Sequence, residues 1–185
     1  MGSKRRKHSG VHQVTVRGFE KFCPDFDALS NWVKIQRNYD RRIVATNGCF
    51  DILHLGHLRL LQEAAKLGDV VVVGINTDES VRSLKGPDRP FNFELDRAQI
   101  ICGLEAVDAV CLFPERTASR FLKTVQPDVW VKGGDYSLDT LDRNEREAVE
   151  NNGGKIVLFP TIVGYSTSNI LDQPPTQKHL TSLSL

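Results

Sequence analysis

Short apolar runs alternate along most of this chain with stretches whose apolar residues return at three- and four-residue spacing. The runs are rich in β-branched residues and predict strands at Arg42 to Thr46, Val70 to Ile75, Ala109 to Phe113, Val129 to Lys132 and Ile156 to Phe159. The periodic stretches predict helices at about Leu55 to Leu67, Thr77 to Leu84, Leu95 to Leu104, Ala118 to Val125 and Leu141 to Asn151. A further helix is expected from Asp25 to about Tyr39, where Phe26, Leu29, Trp32 and Val33 share a face behind the start signal Pro24-Asp25. Strands that alternate with helices imply βα units and a mostly parallel sheet, and nearly continuous apolar strands imply helices on both of its faces. The expected fold is α/β, a Rossmann-like doubly wound sheet with an N-terminal helical extension. Ligands of such sheets bind beyond the carboxyl ends of the strands, near the switch in strand order.

Both ends of the chain break the pattern. Residues 1–12 hold Lys4, Arg5, Arg6 and Lys7 among Gly and Ser, and residues 173–185 open on Pro174-Pro175 and close in Ser and Thr. Both read as solvated tails. The expected organisation is a basic tail (1–12), an extension with a helix (13–40), one α/β domain (41–172) and a second tail (173–185). A length of 185 residues suits a single core. A net charge of +1 gives no support to a general polyanion binder, so nucleic acid is not an expected partner. The apolar runs are too short to cross a bilayer, and no apolar segment follows the basic N-terminal residues, so neither export nor membrane insertion is expected. The cysteines at 23, 49, 102 and 111 lack C-x-x-C or zinc spacing, which suits buried thiols in the cytoplasm.

Chemistry concentrates where the first strand runs into a helix, at Thr46-Asn47-Gly48-Cys49-Phe50-Asp51-Ile52-Leu53-His54-Leu55-Gly56-His57. Gly48 lets backbone approach a phosphate, and the helix start offers free amides and a positive dipole end. His54 and His57, three apart, share the first turn and can both donate to oxygens around one phosphorus. Taken alone, a His-x-x-His pair would be a helix-end or metal-ligand pattern; its strand-turn-helix setting favours the phosphate reading. Asp51 stands just before the helix, as a cap or as a holder of an acceptor hydroxyl. Cys49 lacks a further histidine in the core to activate it and reads as a packing and backbone position.

Three more segments follow strands or helices in the same way. Leu84-Lys85-Gly86-Pro87-Asp88-Arg89-Pro90 is a loop stiffened by proline that projects two cations, and Asp96-Arg97 in the next helix reads as a local ion pair bracing it. Val131-Lys132-Gly133-Gly134-Asp135-Tyr136 ends a strand on two glycines, which implies close approach of a ligand to backbone, with Asp135 able to accept from sugar hydroxyls or a metal ion. Val163-Gly164-Tyr165-Ser166-Thr167-Ser168 offers hydroxyls and amides for phosphate or base contacts, or for plain helix capping.

Gly48 to Asp51 followed by His-Leu-Gly-His resembles the G-x-F-D-x-x-H-x-G-H signature of the cytidylyltransferase-like nucleotidyltransferases. The likeness covers about Arg42 to Leu171. The Lys-Gly-Pro-x-Arg-Pro loop and the Lys-Gly-Gly-Asp-Tyr run resemble the branch that adenylylates heptose 1-phosphate. The family's second signature, R-T-x-G-I-S-T-T, is altered here, with Thr161 in place of its arginine and Tyr165 in place of its isoleucine. Both changes favour the heptose branch, in which Gly-Tyr-Ser-Thr is the expected form.

The resemblance implies ATP and a sugar phosphate as substrates, Mg2+ on the triphosphate without a dedicated protein metal site, and a homodimer. It implies catalysis by His54, His57 and Lys85, with the nucleotide held by Asn47, Gly48, Cys49, Phe50, Gly56, Arg89, Lys132, Gly133, Tyr165, Ser166 and Thr167. Arg89 could instead hold the acceptor phosphate, and the acceptor falls to Asp51, Gly134 and Asp135. A cytidylyltransferase acting on glycerol 3-phosphate or a similar alcohol phosphate is the enzymatic alternative, and a nucleotide-binding protein without turnover is the alternative from another class.

Overall fold

The computed structural model describes residues 19–134 and 136–160. Six parallel strands form one sheet, β1 (Phe22–Cys23), β2 (Ile43–Gly48), β3 (Val70–Asn76), β4 (Ala109–Phe113), β5 (Val129–Gly133) and β6 (Lys155–Phe159), in the order β1-β4-β3-β2-β5-β6. Between them run α1 (Phe26–Asn38), α2 (Leu55–Ala65), α3 (Asp78–Lys85), α4 (Glu94–Cys102), α5 (Ser119–Val125) and α6 (Arg143–Glu150). All the expected strands and helices are present, with ends shifted by no more than a turn. The expected sheet gains an edge strand, because Phe22 and Cys23 pair with Val110 and Cys111 ahead of α1. Two residues are too few to carry a periodicity, so the strand exists only by virtue of its partner.

Alternation along the strands divides the core in two. Val70 and Val72 of β3 join Ile43, Ala45 and Trp130 under α1, α5 and α6, while Val71, Val73 and Ile75 join Val44 and Val131 under α2 and α4. This two-sided burial is why the strands read as apolar runs. Asp25 caps α1 by accepting from the Ala28 amide at 2.8 Å, and Asp142 caps α6 through Asn144 and Glu145. Among the described residues no helix is long and apolar enough to cross a membrane.

The two edges of the sheet are chemically unlike. At the amino edge, carboxylates answer the first strand amides: Asp69 accepts from Arg42, Asp108 from Val71 and Asp128 from Ile43. Asp128 also binds Arg37, which ties α1 to the start of β2 and β5. The carboxyl edge instead gathers the glycines, histidines and cations singled out in the sequence.

Candidate active site

Strand order reverses at β2, which has β3 on one side and β5 on the other, so a crevice opens between the carboxyl ends of β2 and β5. Asn47 and Gly48 finish one of these strands, and Lys132 and Gly133 finish the other. From Gly48 the chain turns through Cys49, Phe50 and Asp51 into α2. Phe50 takes a left-handed conformation, φ 47°, which costs a side-chain-bearing residue about 1–3 kcal/mol. Its buried ring, packed 5.0 Å from the His57 ring, holds it there.

His54 is the N-cap residue of α2 and makes no side-chain capping bond, so among the described residues no side chain takes the first-turn amides from an anion. Gly56 lies in that turn. The His54 and His57 rings stack with centroids 3.8 Å apart. Burial, the His54 ring and the Lys85 charge together push His57 down to about 3. Burial and Lys85 lower His54 as well. Both rings are therefore neutral near neutral pH, each with one N–H donor. The Nδ1 atoms of both are buried without a partner among the described residues. Lys85 ends α3, exposed and close enough for its charge to reach both rings.

Asp51 turns out to be a strut. The cap position of α2 belongs to His54, and the Asp51 side chain has 0% exposure. Its Oδ1 accepts from the amides of Phe91 and Asn92 at 2.6 and 3.4 Å, its Oδ2 pairs with Arg89 Nε at 2.9 Å, and its carbonyl accepts from Asn92 Nδ2. The carboxylate thus anchors the loop that follows Lys85, while Oδ2, paired with Arg89 by charge, accepts no hydrogen bond among the described residues. Arg89, its side chain 15% exposed and its guanidinium 4.6 Å from the Phe91 ring, keeps both Nη groups without an acceptor among the described residues.

Lys132 is brought elsewhere. Alternation along β5 places it with Trp130 on the α5–α6 face, opposite α2, where Nζ pairs with Glu145 at 3.1 Å (side-chain exposures 12% and 6%) between the Trp130 and Tyr136 rings. The other Glu145 oxygen accepts from the Ala118 amide at 2.7 Å. Asn47 joins this group by accepting from Trp130 Nε1. The glycines beside Lys132 make room for side chains: a Cβ on Gly133 would meet Leu60 at 3.0 Å, and one on Gly134, φ 135°, would meet the Tyr136 ring at 2.7 Å. Asp135, Tyr165, Ser166 and Thr167 lie outside the described residues.

Cys49 has its thiol pushed up by burial, against the partial pull of Lys85 and Arg97, so it is a poor nucleophile, in keeping with its expected packing role. The expected Asp96–Arg97 pair does not form. Neighbours on a helix point about 100° apart, so Asp96 is exposed while Arg97 is buried and bound to Asp78 at 2.8 Å. The signal for Arg97 was in its company: it lies one turn before Ile101, on a buried apolar face where a charge has to find partners.

The cytidylyltransferase-like family model matches residues 45–182. Among curated proteins, the chain is similar to the bifunctional protein HldE of Geotalea uraniireducens, 46% identical over 149 residues, covering 80% of this chain and 30% of that one. It is also similar to the bifunctional protein HldE of Nitratiruptor sp., 46% identical over 155 residues, covering 83% and 32%. The chain thus spans about a third of the length of these relatives. Among solved structures, a lipopolysaccharide core biosynthesis protein from Thermoplasma volcanium is 30% identical with a TM-score of 0.53, covering 66% of this chain and 97% of that one. A pantoate-β-alanine ligase from Francisella tularensis, at 15% identity and a TM-score of 0.50 over 76% of this chain and 67% of that one, shares the fold.

Proposed function

The chain belongs to the cytidylyltransferase-like family, and on that premise we propose that it transfers AMP from ATP to heptose 1-phosphate, giving ADP-heptose and pyrophosphate. The observation that carries the proposal is the stacked, neutral His54–His57 pair at the uncapped start of α2, within reach of the Lys85 charge. The heptose branch is supported by the Lys85-to-Pro90 loop and the Lys132-to-Tyr136 run. Identity of 42–46% to HldE proteins and the likeness to a lipopolysaccharide core biosynthesis protein support it too.

In this reaction an oxygen of the sugar phosphate attacks the α-phosphorus in line, the new P–O bond forms, and the bond to the β-phosphate breaks as pyrophosphate leaves. The attacking oxygen is already ionised, so no protein base has to take a proton. That suits histidines whose basicity burial has suppressed: they serve as N–H donors to the charge that builds at the α-phosphoryl oxygens, each such donor being worth about 3–4 kcal/mol. Lys85 stabilises the departing pyrophosphate. The two Nη groups of Arg89, without an acceptor among the described residues, form a fork for a terminal phosphate, either that of the nucleotide or that of the acceptor. Asp51, the proposed holder of the acceptor, also holds Arg89 in place through their charge pair.

Among the described residues no group of three His, Cys, Asp or Glu side chains could hold a metal ion. The proposed magnesium ion would ride on the triphosphate, keep most of its waters and offset phosphate charge there. Asp135, outside the described residues, is the proposed contact to sugar hydroxyls, and Tyr165 to Thr167 the proposed contacts to nucleotide.

The test is pyrophosphate release with ATP or CTP against heptose 1-phosphate or glycerol 3-phosphate. Release with ATP and the sugar phosphate alone is expected. Release with CTP and the alcohol phosphate alone would replace this reading with the cytidylyltransferase one. Replacing His57 by Ala should lower kcat about 100- to 1000-fold while leaving the protein folded by circular dichroism. Full activity in that variant would remove the mechanism.

A further inference from the structure

Arg97 has no part in the chemistry above, yet it is only 1% exposed. A guanidinium is driven from water only where its donors are answered, and here three separate segments answer them. Nε donates to the Asn92 carbonyl at 3.0 Å, Nη1 to the Cys49 carbonyl, and Nη2 to Asp78 Oδ1 at 2.8 Å. Each segment leads to a group used in the reaction. Cys49 belongs to the turn between β2 and α2, Asp78 opens the helix that ends at Lys85, and Asn92 closes the loop that carries Arg89.

The Cys49 contact reaches further than its own carbonyl. The peptide between Cys49 and Phe50 is trans, so its carbonyl and N–H point in opposite directions. With the carbonyl held by Arg97, the Phe50 N–H faces away from that side chain, and it meets no acceptor among the described residues. Phe50 is also left-handed, so the Arg97 bond to the preceding carbonyl adds to the ring packing that holds this strained plane.

We propose that Arg97 is a positioning residue: by fixing the Cys49–Phe50 peptide plane it aims the Phe50 N–H at one non-bridging oxygen of the α-phosphate of bound ATP, while keeping the Lys85 and Arg89 segments in register with it. The proposal rests on the adenylyltransferase reading but is tested without turnover. The full chain is titrated calorimetrically with ATP and with each of the two α-thio diastereomers of ATP, in magnesium throughout. Donors bonded to one α-oxygen, this amide and the two histidines among them, discriminate between the diastereomers; the change in that ratio when Arg97 is altered reports the aim of the amide, whereas general loosening weakens all three ligands alike.

Arg97→Lys, which keeps the charge but loses the fork, should move the ratio about fivefold toward unity, the worth of an ordinary hydrogen bond. Asp78→Asn keeps both carbonyl contacts and should shift it in the same direction by about twofold; it carries the test if Arg97→Lys does not fold. A ratio of unity in the wild type, or a wild-type ratio unmoved in the folded variants, would overturn the inference while leaving the adenylyltransferase reading standing. A wild-type protein that binds no ATP would overturn both.

Discussion

Replacing Asp51 by Asn separates a strut from a substrate contact. The carboxylate has 0% side-chain exposure and accepts the Phe91 amide at 2.6 Å, with Arg89 Nε 2.9 Å from its other oxygen. An amide of the same shape removes the charge and offers an NH2 where one of those donors needs an acceptor. Losing one charge-assisted bond in a buried setting costs about 1.5–3 kcal/mol, and leaving the largely buried Arg89 without its counter-charge raises the total to about 2–4 kcal/mol. For a domain of this size each kcal/mol moves Tm by about 2–4 °C, so a fall of roughly 5–15 °C is expected, measured by urea and thermal unfolding. Activity should fall as well, with KM rising for whichever substrate offers its terminal phosphate to Arg89. A stability loss under about 0.5 kcal/mol with turnover still abolished would refute the strut and return Asp51 to direct substrate contact.

Acid should weaken the fold through the histidines. His57 sits at about 3 when folded against 6.5 unfolded, so below 6.5 the unfolded chain binds the extra proton. Its contribution is fully present above that value and is lost at about 1.4 kcal/mol per pH unit as pH falls toward 3, with His54 acting in the same direction. Urea midpoints measured across that window should show the slope, and His57→Gln should reduce it; an equal slope in both proteins would contradict the burial argument. The Lys132–Glu145 pair should behave as a coupled unit: Glu145→Gln or Lys132→Met alone costs about 3–5 kcal/mol, and the double variant recovers much of it. Additive losses in that double-mutant cycle would show that Lys132 is not balanced by Glu145 and is available to phosphate after all.

The sequence by itself determined the elements and the place of the chemistry. Strands such as Val70 to Ile75, the Asp25 cap, and the passage from β2 through Gly48-Cys49-Phe50-Asp51 to His54 and His57 are local patterns, set by side-chain periodicity and by the backbone needs of a turn before a helix. Tertiary structure alone decided the strand order that makes the crevice, the pairing of the two-residue β1 with β4, and the roles of the charges. Asp51 meets Arg89, Arg97 meets Cys49 and Asp78, and Lys132 meets Glu145, each across a stretch of chain over which no periodicity runs. A charged side chain takes its function from its nearest counter-charge and from how much water it keeps, and both are properties of the folded neighbourhood. For the same reason two histidines whose spacing was plain in the sequence became neutral donors only once burial and Lys85 had lowered their basicity.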